Sequence, residues 1–102
     1  MPNLKTCKAD GKAMGLNTAR WTFDARMDRA DYLEFLKMYD EGDPILFHHY
    51  ARPWLSGEWA GESPNELLGE GWTDRHAEAF EDAAERAYWA ELVRIAKFHT
   101  TD

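Results

Sequence analysis

The sequence predicts an α+β domain, in which a small, mostly antiparallel sheet of two or three strands packs against a long C-terminal helix and a second helix. Three observations predict it. Residues 18–27 alternate strictly, with Ala19, Trp21, Phe23, Ala25 and Met27 on one side and Thr18, Arg20, Thr22, Asp24 and Arg26 on the other. Period two is the signature of a strand with one buried face. Residues 74–98 instead recur at helical spacing, and residues 28–41 form a shorter helical pattern between clear start and stop signals.

The elements follow in order. Residues 4–8 form a weaker first strand, and Asp10-Gly11 is a turn signal, so a hairpin to residues 18–27 is expected. Asp28 then caps a helix with Asp31 in a box-like arrangement. Tyr32, Leu33, Leu36 and Tyr39 recur along it, Gly42 ends it and Pro44 prevents its resumption. Residues 45–50 have strand composition without clean alternation and read as a short strand or an extended segment. Residues 52–61 form an aromatic loop around Pro53 and Gly57. Ser63, Pro64 and Glu66 carry a helix start, stopped by Gly69 and Gly71 after about two turns.

Thr73 caps the last helix. Ala77, Phe80, Ala84, Ala87, Tyr88, Ile95 and Phe98 form its apolar stripe, opposite Asp74, Glu78, Glu81, Asp82 and Glu85. Further along, Trp89, Leu92, Val93 and Ala96 make the second half apolar on more than one side, so it should sit deeper than the first. The expected order is β-β-α-β-α-α, with Trp21, Phe23, Phe80, Tyr88 and Ile95 sharing one core.

Length and composition suit one domain spanning residues 1–102. The chain is 44% hydrophobic with five Trp, too apolar for an acidic disordered tail. Cys7 is the only cysteine, which rules out an intrachain disulfide and fits a reducing compartment. The basic N-terminus lacks the apolar stretch of a signal peptide, and no apolar run approaches the roughly 20 residues that span a bilayer. A soluble, cytoplasmic protein that does not engage membranes is expected.

Charge is strongly segregated. Fifteen of the nineteen carboxylates lie in residues 31–91 with only four basic residues, giving −11 there against +3 before and +1 after. Glu58, Glu62, Glu66, Glu70, Asp74, Glu78 and Asp82 recur every fourth residue, although Gly and Pro break the series into separate elements. Such a row can imitate the field of phosphates and dock on a basic protein groove. The plainer reading is a solvated face that maintains solubility. Direct nucleic-acid binding is disfavoured, because no basic patch accompanies the aromatics.

Other candidate chemistry is sparse. His48, His49, Tyr50, Arg52, Trp54 and Trp59 gather residue types that dominate binding hot spots, with Trp54 and Trp59 as the expected anchors unless they pack as core. His48 and His49 would point apart on an extended chain, and His76 and His99 are distant, so no metal site or other cofactor is expected. Glu91 falls inside the apolar stripe and needs a partner. An Arg from the sheet, such as Arg20 or Arg26, or a Tyr hydroxyl is the structural solution, and a general acid or base the catalytic one. Cys7 beside Lys5 and Lys8 could have a lowered pKa. The signature motifs of P-loop, dinucleotide-binding, kinase and α/β-hydrolase sites do not occur.

Small, acidic, Trp-rich and motif-poor, the chain resembles in profile the accessory proteins of mobile elements, including phage-encoded inhibitors of host nucleases such as anti-CRISPR proteins. The likeness assigns no residue. The expected function is a non-catalytic inhibitor or adaptor that binds a basic surface, as on a nucleic-acid-binding protein. Glu58, Glu62, Glu66, Glu70, Asp74, Glu78, Glu81, Asp82 and Glu85 would contact it, with Trp54 or Trp59 as apolar anchors. Two alternatives stand beside it. One is a small enzyme with an acid/base site near the loop from His48 to Trp59, and the other a homo-oligomer formed through Trp89, Leu92 and Val93.

Overall fold

A computed structural model describes residues 3–50 and 64–101. It corrects the predicted α+β class. Five helices are present, α1 (Leu4–Arg20), α2 (Arg29–Glu41), α3 (Pro44–His49), α4 (Pro64–Leu68) and α5 (Asp74–Thr100). There is no strand among the described residues.

The largest correction is at the N-terminus, where both expected strands and the turn at Asp10-Gly11 are replaced by α1. The Asn3 side chain caps the helix, accepting from the backbone N–H groups of Lys5 at 2.8 Å and Thr6 at 3.4 Å. Its buried residues are Cys7, Gly11, Gly15 and Ala19, a helical spacing of four built from small side chains. The alternation in residues 18–27 straddles the last turn of α1 and the turn after it. Trp21, expected in the core, is 83% exposed. Phe23 does reach the core margin, edge-on to Tyr32, Phe35 and Tyr50.

Those small residues let α1 lie against α5 backbone to backbone. Gly11 faces Phe80 and Gly15 faces Ala84, so the two helices run parallel at one constant offset. A Cβ at Gly11 would fall 2.9 Å from the Phe80 carbonyl carbon, and a Cβ at Gly15 would meet Ala84 at the same distance. Only glycine permits that approach.

The other expected helices stand. Asp28 and Asp31 form a reciprocal capping box, each side chain accepting at 3.0 Å from the other's backbone N–H. Gly42 closes α2 at φ 66°, and its N–H donates to the carbonyls of Met38 and Tyr39. Residues 45–50, read as a short strand or an extended segment, belong instead to the short helix α3 and its C-cap Tyr50; Pro44 and the Asp43 side chain on the N–H of Ile45 start it. At α5, the His76 ring reaches back to the Thr73 backbone N–H at 3.0 Å, a role usually filled by Glu or Gln.

The second half of α5 is the deeper one. Tyr88, Leu92 and Ala96 are buried there. Helix α2 runs antiparallel across it, with Tyr32 stacked on His99 and Tyr39 beside Trp89. Arg29 at the start of α2 donates to the Thr100 carbonyl at 3.3 Å, tying the two ends together. Phe80 and Tyr88 lie in one core with Phe23 and Ile95 packed against it.

Candidate functional site

Of the expected contact residues, Trp54, Glu58, Trp59 and Glu62 lie outside the described residues. The remainder fall on α4, the turn after it and the outer side of α5. Glu66, Glu70, Asp74, Glu78 and Asp82 are exposed, whereas Glu81 and Glu85 are half-buried. Exposure of Asp74, Glu78 and Asp82 follows from the helical period: the opposite face of α5 carries Phe80 and Ala84 against α1.

The structure adds something that linear charge segregation conceals. Helix α1 is the basic segment, and it lies along the acidic half of α5. Lys8 shares a shallow groove with Arg75, Glu78, Asp82 and Glu85. On the adjoining side Lys8 and Lys12 line another with Asp82 and Arg86. Arg86 also pairs with Asp82 at 3.3 Å, one turn apart. Lys8 and Lys12 therefore lie near the 74–85 face, and Arg86 pairs with one of its carboxylates. Exposed pairs of this kind contribute little to stability, and their main consequence is a mixed rather than purely negative surface.

The opposite situation holds around α2 and α3. The turn before α2 and the two helices carry Asp24, Asp28, Asp31, Glu34, Asp40, Glu41 and Asp43 against Arg26, Arg29 and Lys37. Here acids outnumber Lys and Arg by more than two to one. An open groove of about 500 Å³ lies at this surface, with Met27, Phe35, Met38 and Leu46 among its lining residues. Sequence reading missed it. Its apolar residues come from the turn before α2, from α2 itself and from α3, and the last was not recognised as a helix.

Glu91 has a structural explanation. It is 4% exposed, and Arg20 donates to it through Nε at 3.1 Å. Arg94, one turn further along α5, donates to its other oxygen. The Arg94 guanidinium, with help from Arg20, holds the Glu91 carboxyl below the ordinary carboxylate range against the opposing effect of burial. The expected Arg20 partner is present, but it comes from the last turn of a helix and not from a sheet. Arg26 pairs instead with Asp24 at 3.1 Å.

The remaining candidates resolve as follows. Burial pushes the Cys7 thiol up, and Asp10 adds to the effect, so the expected activation by nearby lysines is overturned. His48 and His49 are exposed in the last turn of α3, while His76 caps α5 and His99 stacks on Tyr32 at 4.5 Å. Among the described residues no three His, Cys, Asp or Glu converge as a metal-binding group. Leu92 is fully buried, and Trp89 packs against Tyr39, Phe47 and Tyr88, which places both in internal packing. Among the described residues, no helix is long and apolar enough to cross a membrane. The chain matches no protein-family model, no curated protein and no solved structure.

Proposed function

We propose that this protein is a non-catalytic binding protein, an inhibitor or adaptor, that engages a basic surface on another protein. The observation that carries the reading is the run of exposed carboxylates from Glu66 and Glu70 through Asp74, Glu78 and Asp82. Asp74, Glu78 and Asp82 keep a helical spacing on α5, and a negative array of this kind steers a basic partner at long range. Proteins that handle nucleic acid present such basic surfaces, which makes them the favoured partner class. A cytoplasmic setting accords with the single cysteine, buried and unactivated.

The test is the association rate with an oligolysine peptide across a salt series. Association should be fast at low salt and slow as the Debye length contracts. Replacing Glu70, Glu78 and Asp82 together by Gln, Gln and Asn should slow it several-fold with an unchanged circular dichroism spectrum. Equal rates for parent and variant at low salt would contradict the proposal.

A further inference from the structure

We infer that the groove between α2 and α3 is the apolar contact site for a partner segment that bears a large apolar side chain flanked by Lys or Arg. The inference rests on the reading of a binder of basic partners, and it assigns the apolar contact to a surface other than the outer face of α5. The groove floor is apolar. Phe35 and Leu46 are 2% and 3% exposed, and Met27 and Met38 are half-buried beside them. Methionine is flexible and polarizable, so a surface of this kind adapts to different apolar side chains. Ile45, at the edge, is 71% exposed and offers further apolar area.

The rim selects the occupant. Asp24, Asp31 and Glu34 line the same groove, all three exposed, and among the described residues no Lys or Arg lines it. His49 lines its α3 side. An apolar segment with acidic flanks would meet like charge here, whereas one with basic flanks meets opposite charge along the α2 side. Asp24 is engaged by Arg26, but that pair is on the surface and its Arg is 91% exposed. Such a pair is weak and can exchange for an incoming cation.

The site differs from the 66–82 carboxylates in one decisive respect. There, Lys8, Lys12, Arg75 and Arg86 line the grooves together with the acids, and the apolar lining is alanine methyls and Leu4. At α2 and α3 the negative rim surrounds large apolar side chains. Long-range attraction and close apolar contact, which a tight complex needs together, coincide only at this second surface among the described residues.

The test uses the full chain labelled at its backbone amides and at its methionine methyl groups, with Met14 on α1 as an internal reference. The probes are three short peptides, one alternating Lys and Leu, one with Ser in place of Leu, and one with Glu in place of Lys. The Lys/Leu peptide should shift the Met27 and Met38 methyl signals saturably at low salt and leave Met14 in place. The other two should bind at least tenfold more weakly. Glu34→Lys, an exposed change, should weaken the Lys/Leu peptide about tenfold, and Ile45→Ala should weaken it about threefold, both with unchanged melting. Shifts confined to amides of residues 66–82 would overturn the groove and leave the carboxylate array standing. Groove shifts, together with no effect of neutralising Glu70, Glu78 and Asp82, would uphold the groove and overturn the array. Equal binding of the Lys/Ser peptide would overturn the groove, because its apolar floor would then play no part. Absence of saturable binding by any peptide would overturn both.

Discussion

The two halves of α5 are buried in opposite ways. Over the first half, the covering element is α1, and contact is made by removing side chains: Gly11 and Gly15 admit the backbones of Phe80 and Ala84. Over the second half the covering elements are α2 and α3, and contact is made by filling space. Tyr39 and Phe47 converge with Trp89 and Tyr88 in tilted and edge-on ring pairs, and Phe35 stacks on Tyr39. The first mode depends on close approach and tolerates no added volume. The second depends on burying large apolar area and tolerates no loss of it. The same contrast separates the surfaces, since the close pair brings lysines against carboxylates while the aromatic side leaves its acids in excess.

The comparison breaks most sharply at the glycines. Gly→Ala in an exposed helix stabilises by about 0.5–1 kcal/mol. At Gly15 the added carbon would enter the backbone of Ala84, which no rotamer change relieves. Gly15→Val should therefore destabilise by on the order of 3 kcal/mol or more, measured by urea unfolding. A stabilised or neutral Gly15→Ala would show that the helices do not meet there. On the filled side, Leu92→Ala should cost about 2–5 kcal/mol, because Leu92 has no exposed surface. A loss under about 1 kcal/mol would move it out of the core.

Glu91 sits where the two modes meet, between Arg20 of α1 and Arg94 of α5. Its removal as Glu91→Gln should cost about 1–3 kcal/mol at neutral pH, the range for hydrogen bonds to charged groups. Because its folded pKa is lowered, this contribution is complete above the unfolded value of about 4.3 and is lost as pH falls through the lower folded value. The gap between parent and variant should thus shrink on acidification below about pH 4, and a gap that widens there would contradict the ion pair. The smallest effect belongs to Trp21. A strand-core tryptophan would cost about 3–5 kcal/mol on replacement by Ala, whereas an exposed one should change stability by no more than about 0.5 kcal/mol.

These differences explain what was legible from the residues alone. Helix α2 announced itself through Asp28, Asp31 and Gly42, and α5 through its stripe, because large apolar residues and caps leave a periodic record. Helix α1 left almost none. Its buried positions, Cys7, Gly11, Gly15 and Ala19, are small, and glycine counts against a helix in any local reading. Only the spacing of four, matched to Phe80 and Ala84 far away in sequence, carries the information. The expected strand at residues 18–27 combined a helix end, an exposed Trp21 and a half-buried Phe23 whose alternation had no common cause. The need of Glu91 for an arginine was legible from its place in the stripe, although the element supplying that arginine was not. The outer carboxylates were legible from period alone. The lysines beside them, and the methionine-floored groove with its acidic rim, depend on which helices become neighbours.

The most direct test of the close α1–α5 pair is the set of proton–proton contacts seen by nuclear Overhauser spectroscopy in the unmodified chain. The parallel pair predicts cross-peaks from the Gly11 Hα protons to Phe80 and from the Gly15 Hα protons to Ala84, with sequential helical contacts throughout residues 4–20. Cross-strand Hα contacts between residues 4–8 and 18–27, with neither glycine near α5, would contradict it.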